Sequence, residues 1–234
     1  MRKTLSFLSL VALWALSPAS ANAAVIVDGV GDTFTVNFNG SDDNINSSVD
    51  AWLTSNAVFL VQTYSTNSLT LKVTVNNTTQ SPYTSRVTGM GFDLVPDATS
   101  ADVTGIFTTD ILGGDFQPHG ILDNFDVCVK NGQPNNCHAS SGGVAQGASG
   151  DFFLTLNFAS SIASGVSFSN FAIRYQGIEY PQGQTGSGSG AGRGCVAGVD
   201  DECGGNSNDV PEPTSMALLG LGLFGASVVA RRKR

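Results

Sequence analysis

The sequence has few of the side chains that usually carry enzymatic chemistry. Its 234 residues contain only two histidines, His119 and His138, and charged residues make up 13% of the chain. No nucleophile motif occurs, and the closeness of His138 to Ser140 and Ser141 along the chain does not define a catalytic geometry. This scarcity favours a non-enzymatic role and predicts no cofactor.

Basic residues are also scarce between the chain ends. From Ala24 to Pro213 there are five basic residues against nineteen acidic ones, so the formal charge of this segment is −14. Such an acidic surface repels nucleic acids and anionic lipid headgroups, and it favours solubility, divalent cations or neutral and cationic polymers. The other six basic residues lie at the termini: Arg2, Lys3, Arg231, Arg232, Lys233 and Arg234.

The N-terminus has the organisation of a secretory signal peptide. Arg2 and Lys3 precede an apolar stretch that is too short for a permanent membrane span. Small residues then fit a signal-peptidase site after Ala21 or Ala23. Residues 1–23 are therefore predicted to be removed on export, and the mature chain is predicted to begin near Ala24.

The C-terminus combines a short polar motif, an apolar run and a basic end. The run begins at Thr214, ends at Ala230 and has 17 uncharged residues, enough for a helix of about 25 Å that crosses a thin bilayer. The basic residues that follow favour a cytoplasmic C-terminus, which leaves the rest of the chain outside. The polar motif before the run is Val210, Pro211, Glu212 and Pro213.

These three ordered C-terminal features, together with the signal peptide, resemble the PEP-CTERM proteins of Gram-negative bacteria. The resemblance rests on Pro211, Glu212 and Pro213, the span and the basic end. It implies sorting by exosortase, an integral-membrane transpeptidase-like enzyme, and delivery to the cell surface or the extracellular polysaccharide matrix. The alternative is a plain C-terminal membrane anchor, and the sequence leaves open whether the tail is cleaved.

Residues 24–180 alternate apolar and polar side chains with a period of two, which is typical of strands with one exposed face. Two short stretches, 49–54 and 160–163, are compatible with a helical turn. Many short strands predict an all-β domain, an antiparallel β-sandwich with Greek-key or jelly-roll connections. The predicted strands are 33–39, 57–64, 68–76, 85–95, 102–108, 124–130, 152–158 and 167–175.

Residues 181–209 are rich in glycine and serine and predict a flexible linker between the domain and the sorting signal. Four cysteines occur as two close pairs, Cys128 with Cys137 and Cys195 with Cys203. An oxidising compartment favours disulfides within each pair, although three connectivities are compatible with four cysteines and zinc is an alternative. The Cys128 and Cys137 pair also resembles the cistern group of PEP-CTERM proteins.

Acidic loops are the candidates for metal or acid–base sites. Asp42 and Asp43 lie in a loop whose oxygen ligands suit calcium, but the spacing matches no EF-hand. Paired acids at 42–43 and 200–202 could serve a glycosidase only if they faced a groove. His119 has three aspartates nearby in sequence, but no helix or strand spacing aligns them, so a polar loop is predicted. These aspartates are Asp115, Asp123 and Asp126.

Aromatic residues could form a sugar-stacking platform if they lay in an exposed coplanar row, although most are expected in the core. Together these features predict an exported surface or matrix protein with a structural role, associated with biofilm or exopolysaccharide. A carbohydrate-binding or adhesive module is the first alternative, and a polysaccharide hydrolase is the second. The aromatic residues considered for a sugar-stacking platform are Trp52, Tyr64, Tyr83, Phe92, Tyr175 and Tyr180.

Overall fold

The structure is a computed structural model that describes residues 24–41, 52–115, 124–132, 136–137, 141–180 and 188–199. These residues form twelve strands, and no helix occurs among them. The strands are β1 (Val25–Val27), β2 (Thr33–Ser41), β3 (Leu53–Tyr64), β4 (Ser68–Asn77), β5 (Thr84–Val95), β6 (Ala98–Gly105), β7 (Thr109–Asp115), β8 (Asn124–Lys130), β9 (Val144–Ala145), β10 (Ser149–Phe158), β11 (Val166–Glu179) and β12 (Ser189–Val196).

All strands belong to one antiparallel sheet that folds over on itself. The order is β6-β10-β4-β3-β2-β12-β11-β5-β8-β7, while β1 pairs with β11 and β9 pairs with β5. The two strands at the ends of this order, β6 and β7, lie beside each other, so the sheet nearly closes. The predicted all-β antiparallel fold is confirmed, and the two layers of the sandwich are halves of one continuous sheet.

The core is built by the alternation that the sequence shows. In β4, every second residue from Leu69 to Val75 is fully buried, and the residues between them face outward. Phenylalanine fills the centre, where the ring of Phe34 stacks on that of Phe59 with 4.5 Å between centroids. Each such buried side chain contributes roughly 1.5–3 kcal/mol through the apolar surface that it removes from water.

One polar pair lies inside this core. The hydroxyls of Tyr175 and Ser55 are 2.7 Å apart and buried. Burial raises the pKa of Tyr175, and the hydrogen bond with Ser55 offsets part of that rise. The phenol therefore stays neutral and links β11 to β3 across the sandwich.

Each of the eight predicted strands overlaps an observed strand, and 124–130 coincides with β8. The two stretches that were compatible with a helical turn are not helical where the structure describes them. Leu53 and Thr54 begin β3, because their side chains join its alternation of buried and half-buried positions. Residues 160–163 form bends and turns between β10 and β11.

The predicted linker is wrong at residues 189–196. They form β12, a central strand that pairs with β11 on one side and β2 on the other. The glycines of this strand are required by close packing: a Cβ on Gly194 would lie 2.6 Å from carbon atoms of both Phe38 and Val36. The domain therefore extends past residue 180, where its boundary was predicted.

The antiparallel order gives the sandwich two ends. We call one the exit end, because β12 finishes there and the chain continues toward its C-terminus. The exit end carries residues 28–32, 65–67, 96–97, 159–165 and 197–199. The other, the distal end, carries the described parts of the connections between β4 and β5, between β6 and β7, and between β8 and β10.

Candidate functional site

A row of amides and hydroxyls crosses the outer face of the sheet near the distal end. Strand register places Asn56 opposite Asn76, and Asn76 opposite Ser149. The Asn76 amide nitrogen donates to the Asn56 side-chain oxygen over 2.7 Å, and the Ser149 hydroxyl donates to the Asn76 side-chain oxygen. These bonds hold the side chains in fixed orientations, so the outer face presents an ordered polar surface.

This row runs into a groove of about 610 Å³ at the distal end. Every lining side chain is uncharged, and most carry an amide or a hydroxyl that can bond to a polar ligand. We call this feature the distal groove. Its lining residues are Asn76, Asn77, Thr78, Thr79, Gln80, Ser81, Gln146, Gly147, Ala148 and Ser149.

Asn77 fixes the shape of the distal groove from below. Its buried amide nitrogen donates to the Ser85 and Val144 carbonyls, each over 3.1 Å, and its side-chain oxygen accepts from the Thr79 backbone. Gln146 adds a bond of 2.9 Å from its amide nitrogen to the Thr79 carbonyl. The two walls are therefore tied together before any ligand arrives, which reduces the entropy cost of binding.

Three of the six aromatic candidates meet beside the segment that forms this groove. The ring centroids of Trp52 and Tyr83 are 3.9 Å apart with nearly parallel planes, and Tyr180 meets Trp52 edge-on at 5.7 Å. All three rings are half-buried. We call them the distal aromatic cluster. Because Trp52 and Tyr83 stack on each other, the three rings do not form the coplanar exposed row that a sugar platform requires.

The other aromatic candidates have structural positions. Phe92 and Tyr175 are fully buried in the core. Tyr64 is half-buried at the exit end, where its hydroxyl donates to the Ile162 carbonyl. Burial and the nearby Asp28 carboxylate raise the pKa of Tyr64, so this hydroxyl also stays protonated.

Of the acidic residues predicted around His119, only the Asp126 side chain is described. It lies beside Asp93, which the sequence analysis did not select. The Asp126 carboxylate accepts from the Leu94 backbone over 2.8 Å, and Asp93 accepts from the Asp126 backbone and from the Asn170 amide. These bonds occupy both carboxylates in joining β5 to β8. No His, Cys, Asp and Glu cluster suited to a metal occurs among the described residues.

Two basic side chains are buried on the outer face of the other half of the sheet. Arg174 and Lys130 both lie opposite Gly89, on strands that flank β5. Burial lowers the pKa of each, and the charge of Arg174 lowers that of Lys130 further. Sequence alternation alone gives no signal of this pair, because outward-facing positions are normally exposed.

The Cys128–Cys137 disulfide lies over this face, and its prediction is confirmed, with 5.9 Å between the two Cα atoms. The Cys137 carbonyl oxygen would lie 3.6 Å from a Cβ on Gly89. The bridge thus holds the segment after β8 against the sheet. Cys195 in β12 is also disulfide-bonded, but its predicted partner Cys203 lies outside the described residues, so that pairing stays a prediction.

Several predicted sites lie wholly outside the described residues. They are the signal peptide with Ala21 and Ala23, the calcium candidates Asp42 and Asp43, His119, His138 and the C-terminal tail from Val210 to Arg234. Within the described ranges, the structure contains no helix with the length and apolar character needed to cross a bilayer. The predicted span from Thr214 to Ala230 is not part of those ranges.

Comparison with known proteins identifies the tail. Residues 209–234 match the family model of the PEP-CTERM protein-sorting motif. No curated protein matches the chain. The motif implies that the chain is a substrate of exosortase, exported and processed at a membrane on its way to the cell surface. By this motif, the chain is a PEP-CTERM protein.

Proposed function

We propose that this protein is a non-enzymatic structural component of the surface or extracellular matrix of a Gram-negative bacterium, associated with biofilm or exopolysaccharide. The sorting motif at residues 209–234 carries the proposal, because it addresses a β-sandwich domain to the cell surface. In this proposal residues 1–23 are a signal peptide and residues 214–230 hold the chain in the membrane until exosortase cleaves it. Membership of the cistern group stays a prediction.

Three described carboxylates take part in bonds that join strands, which supports a non-enzymatic role. Asp93 and Asp126 are bonded to backbone amides, while Asp151 accepts from Lys72 and Thr74. None of these carboxylates lines the distal groove, whose walls are uncharged. A glycosidase needs two carboxyl groups facing the scissile bond across such a groove. The hydrolase alternative therefore has no support from the described groove.

Mass spectrometry of the surface fraction tests the sorting proposal. In cells with exosortase we expect the mature protein to lack the basic end, whereas cells without the enzyme should retain the intact chain in the membrane. Replacing Pro211, Glu212 and Pro213 with alanine should give the same retention. The matched control is Asn206→Ala, which should be processed normally. Detection of Arg234 in surface protein from enzyme-containing cells contradicts processing.

The distal groove favours a second candidate function, binding of a neutral polysaccharide. Its amides and hydroxyls match the hydrogen-bonding groups of sugars, and its uncharged walls offer no counterion for an acidic polymer. The formal charge of −14 between residues 24 and 213 would also repel acidic polymers. We therefore assign the distal groove to neutral rather than acidic polysaccharide.

Affinity electrophoresis through gels containing a neutral glucan or acidic alginate tests this assignment. The neutral polymer should retard the protein, and Asn76→Ala together with Gln146→Ala should abolish the retardation. Asn157→Ala is the matched control, because Asn157 also hydrogen-bonds on the outer face, to Ser100, but far from the groove. Retardation by alginate alone, or equal loss in the control, contradicts the assignment.

A further inference from the structure

The exposed aliphatic side chains of the domain are concentrated at the exit end. Among the described residues, six large apolar side chains are exposed. Val30 and Val199 lie in the loops of this end, and Ile26 and Val95 lie on β1 and β5 within two residues of those loops. The other two, Leu112 and Phe153, lie on the strands that form the walls, and none lies on the distal end. The four, which we call the exit rim, are Ile26 and Val30 at 66% exposure, Val95 at 68% and Val199 at 48%.

Strand register shows how the exit rim is arranged. Ile26 and Val95 both lie opposite Ser167, on the two strands that flank β11. Val30 lies in the turn before β2, and Val199 follows β12, whose last residue pairs with Val36 of β2. Single exposed apolar residues need no explanation, but four at or beside one end and none in the described part of the other indicate a surface that is covered in use.

The chain itself indicates what this surface meets. Only residues 200–213 separate Val199 from the predicted span that begins at Thr214. At about 3.5 Å per residue this connection reaches at most about 50 Å, so an inserted tail keeps the exit end within that distance of the bilayer. A tether of this length gives an effective concentration in the millimolar range, so even a weak contact between rim and lipid is populated.

The charge around the exit rim defines which lipids suit it. Asp28, Asp32 and Asp97 lie in the described loops of this end, and those loops contain no lysine or arginine. Aspartates are repelled by anionic headgroups but tolerate zwitterionic ones. The rim is therefore suited to a neutral bilayer surface, and added anionic lipid should weaken its contact.

We propose that the exit rim docks onto the lipid surface of the membrane in which the tail is inserted, so that the distal groove points away from the cell. This inference rests on the proposed function, since the inserted tail supplies the tether. It assigns the rim to zwitterionic lipid headgroups and the upper acyl region.

Bromolipid quenching of tryptophan fluorescence tests the docking. The mature chain has a single tryptophan, Trp52, at the distal end. The 12 residues of β3 separate it from the exit end by about 40 Å. The full mature chain is reconstituted through its tail into vesicles of phosphatidylcholine containing brominated phosphatidylcholine. Val30→Trp and Val199→Trp place reporters on the rim, and Phe153→Trp, on the wall, is the matched control.

We expect the rim reporters to be quenched about twofold more than the wall reporter, because the brominated chains lie within the ~30 Å hydrocarbon core. Trp52 should keep its emission in every variant. Exchange of phosphatidylcholine for phosphatidylglycerol should reduce rim quenching. Two rim positions are used so that a folding defect in one variant does not decide the result.

Flotation of the vesicles separates this inference from the proposed function. If the chain floats with the vesicles but rim and wall reporters are quenched equally, docking is overturned and the sorting proposal stands. If the chain does not float, the inserted tail is absent and both proposals fail. If rim reporters change emission only in membranes that contain exosortase, the rim contacts that protein, and the lipid assignment is overturned.

Discussion

At the distal end, aromatic rings pack against one another and amides and hydroxyls line a groove. The exit end instead has exposed aliphatic side chains and loops that contain aspartates. Both ends close the same sandwich, and the strands between them alternate buried and outward residues in the same way. The difference therefore shows that the sheet sets the frame while the connections give each end its chemistry.

The largest loss of stability is expected from a substitution in β12, the central strand that runs between the two ends. Gly194→Val in β12 would force its side chain into Phe38, Val36 and Phe171, and should destabilise the fold by about 3 kcal/mol or more through overpacking. Denaturant unfolding followed by circular dichroism measures this. Gly29→Ala is the control, because no atom lies within 4 Å of the added Cβ. A normal midpoint for Gly194→Val would contradict a central β12.

Removal of the Cys128–Cys137 bridge should have the next largest effect. The closed loop is short, so the double substitution Cys128→Ser and Cys137→Ser should cost about 2 to 3 kcal/mol of unfolding free energy. The bridge lies on the wall between the two ends and not at the distal groove. Below its melting temperature, the double variant should therefore still be retarded in gels that contain the neutral glucan. Loss of retardation in a folded double variant would show that the bridge shapes the groove.

The distal aromatic cluster tests whether that end is held by its rings. Trp52→Ala removes the stack with Tyr83 and the edge contact with Tyr180, and should cost about 1 to 2 kcal/mol by thermal unfolding. Trp52→Phe keeps an aromatic ring at this position and should cost clearly less than Trp52→Ala. An equal loss in both variants would show that the stacked ring does not hold this end.

The smallest effect is expected on the wall between the ends. Hydrogen bonds from Lys72 and Thr74 lower the pKa of Asp151, so its contribution is present above the ordinary carboxyl pKa and is lost as the pH falls through the lowered value. The pair is over a third exposed, so Asp151→Asn should cost about 0.5 kcal/mol or less at neutral pH. Urea titrations should show that the difference in unfolding free energy between the wild type and Asp151→Asn vanishes in acid. In a Lys72→Met background the same difference should be smaller at neutral pH. If the difference in unfolding free energy grew as the pH fell, the lowered pKa of Asp151 would be contradicted.

The sequence predicted the strands whose side chains alternate in size and polarity. β4 and β8 are examples, because Leu69, Leu71, Val127 and Val129 are apolar and buried where the pattern requires. β12 was missed because Gly192 and Gly194 have no side chain with which to show alternation. Tight packing of β12 against β2 and the core selects those glycines, and a flexible linker has the same composition.

The candidate sites were predicted less completely, because they depend on contacts between distant parts of the chain. The distal groove brings together residues 76–81 and 146–149, which share no motif. Asp93 was overlooked because only strand register places it beside Asp126. The sorting motif was predictable because it is defined by the order of residues along the chain and needs no contact between distant segments.

The position of β12 also determines when the protein can fold during export. The strand that joins the two halves of the sheet is the last of the described strands, and its residue Val196 must pair with Val36, which is made much earlier. Chains are synthesised from the N-terminus, and contacts so distant along the chain close slowly. The sandwich can therefore be completed only when residues up to Val196 are available on the same side of the membrane as β2.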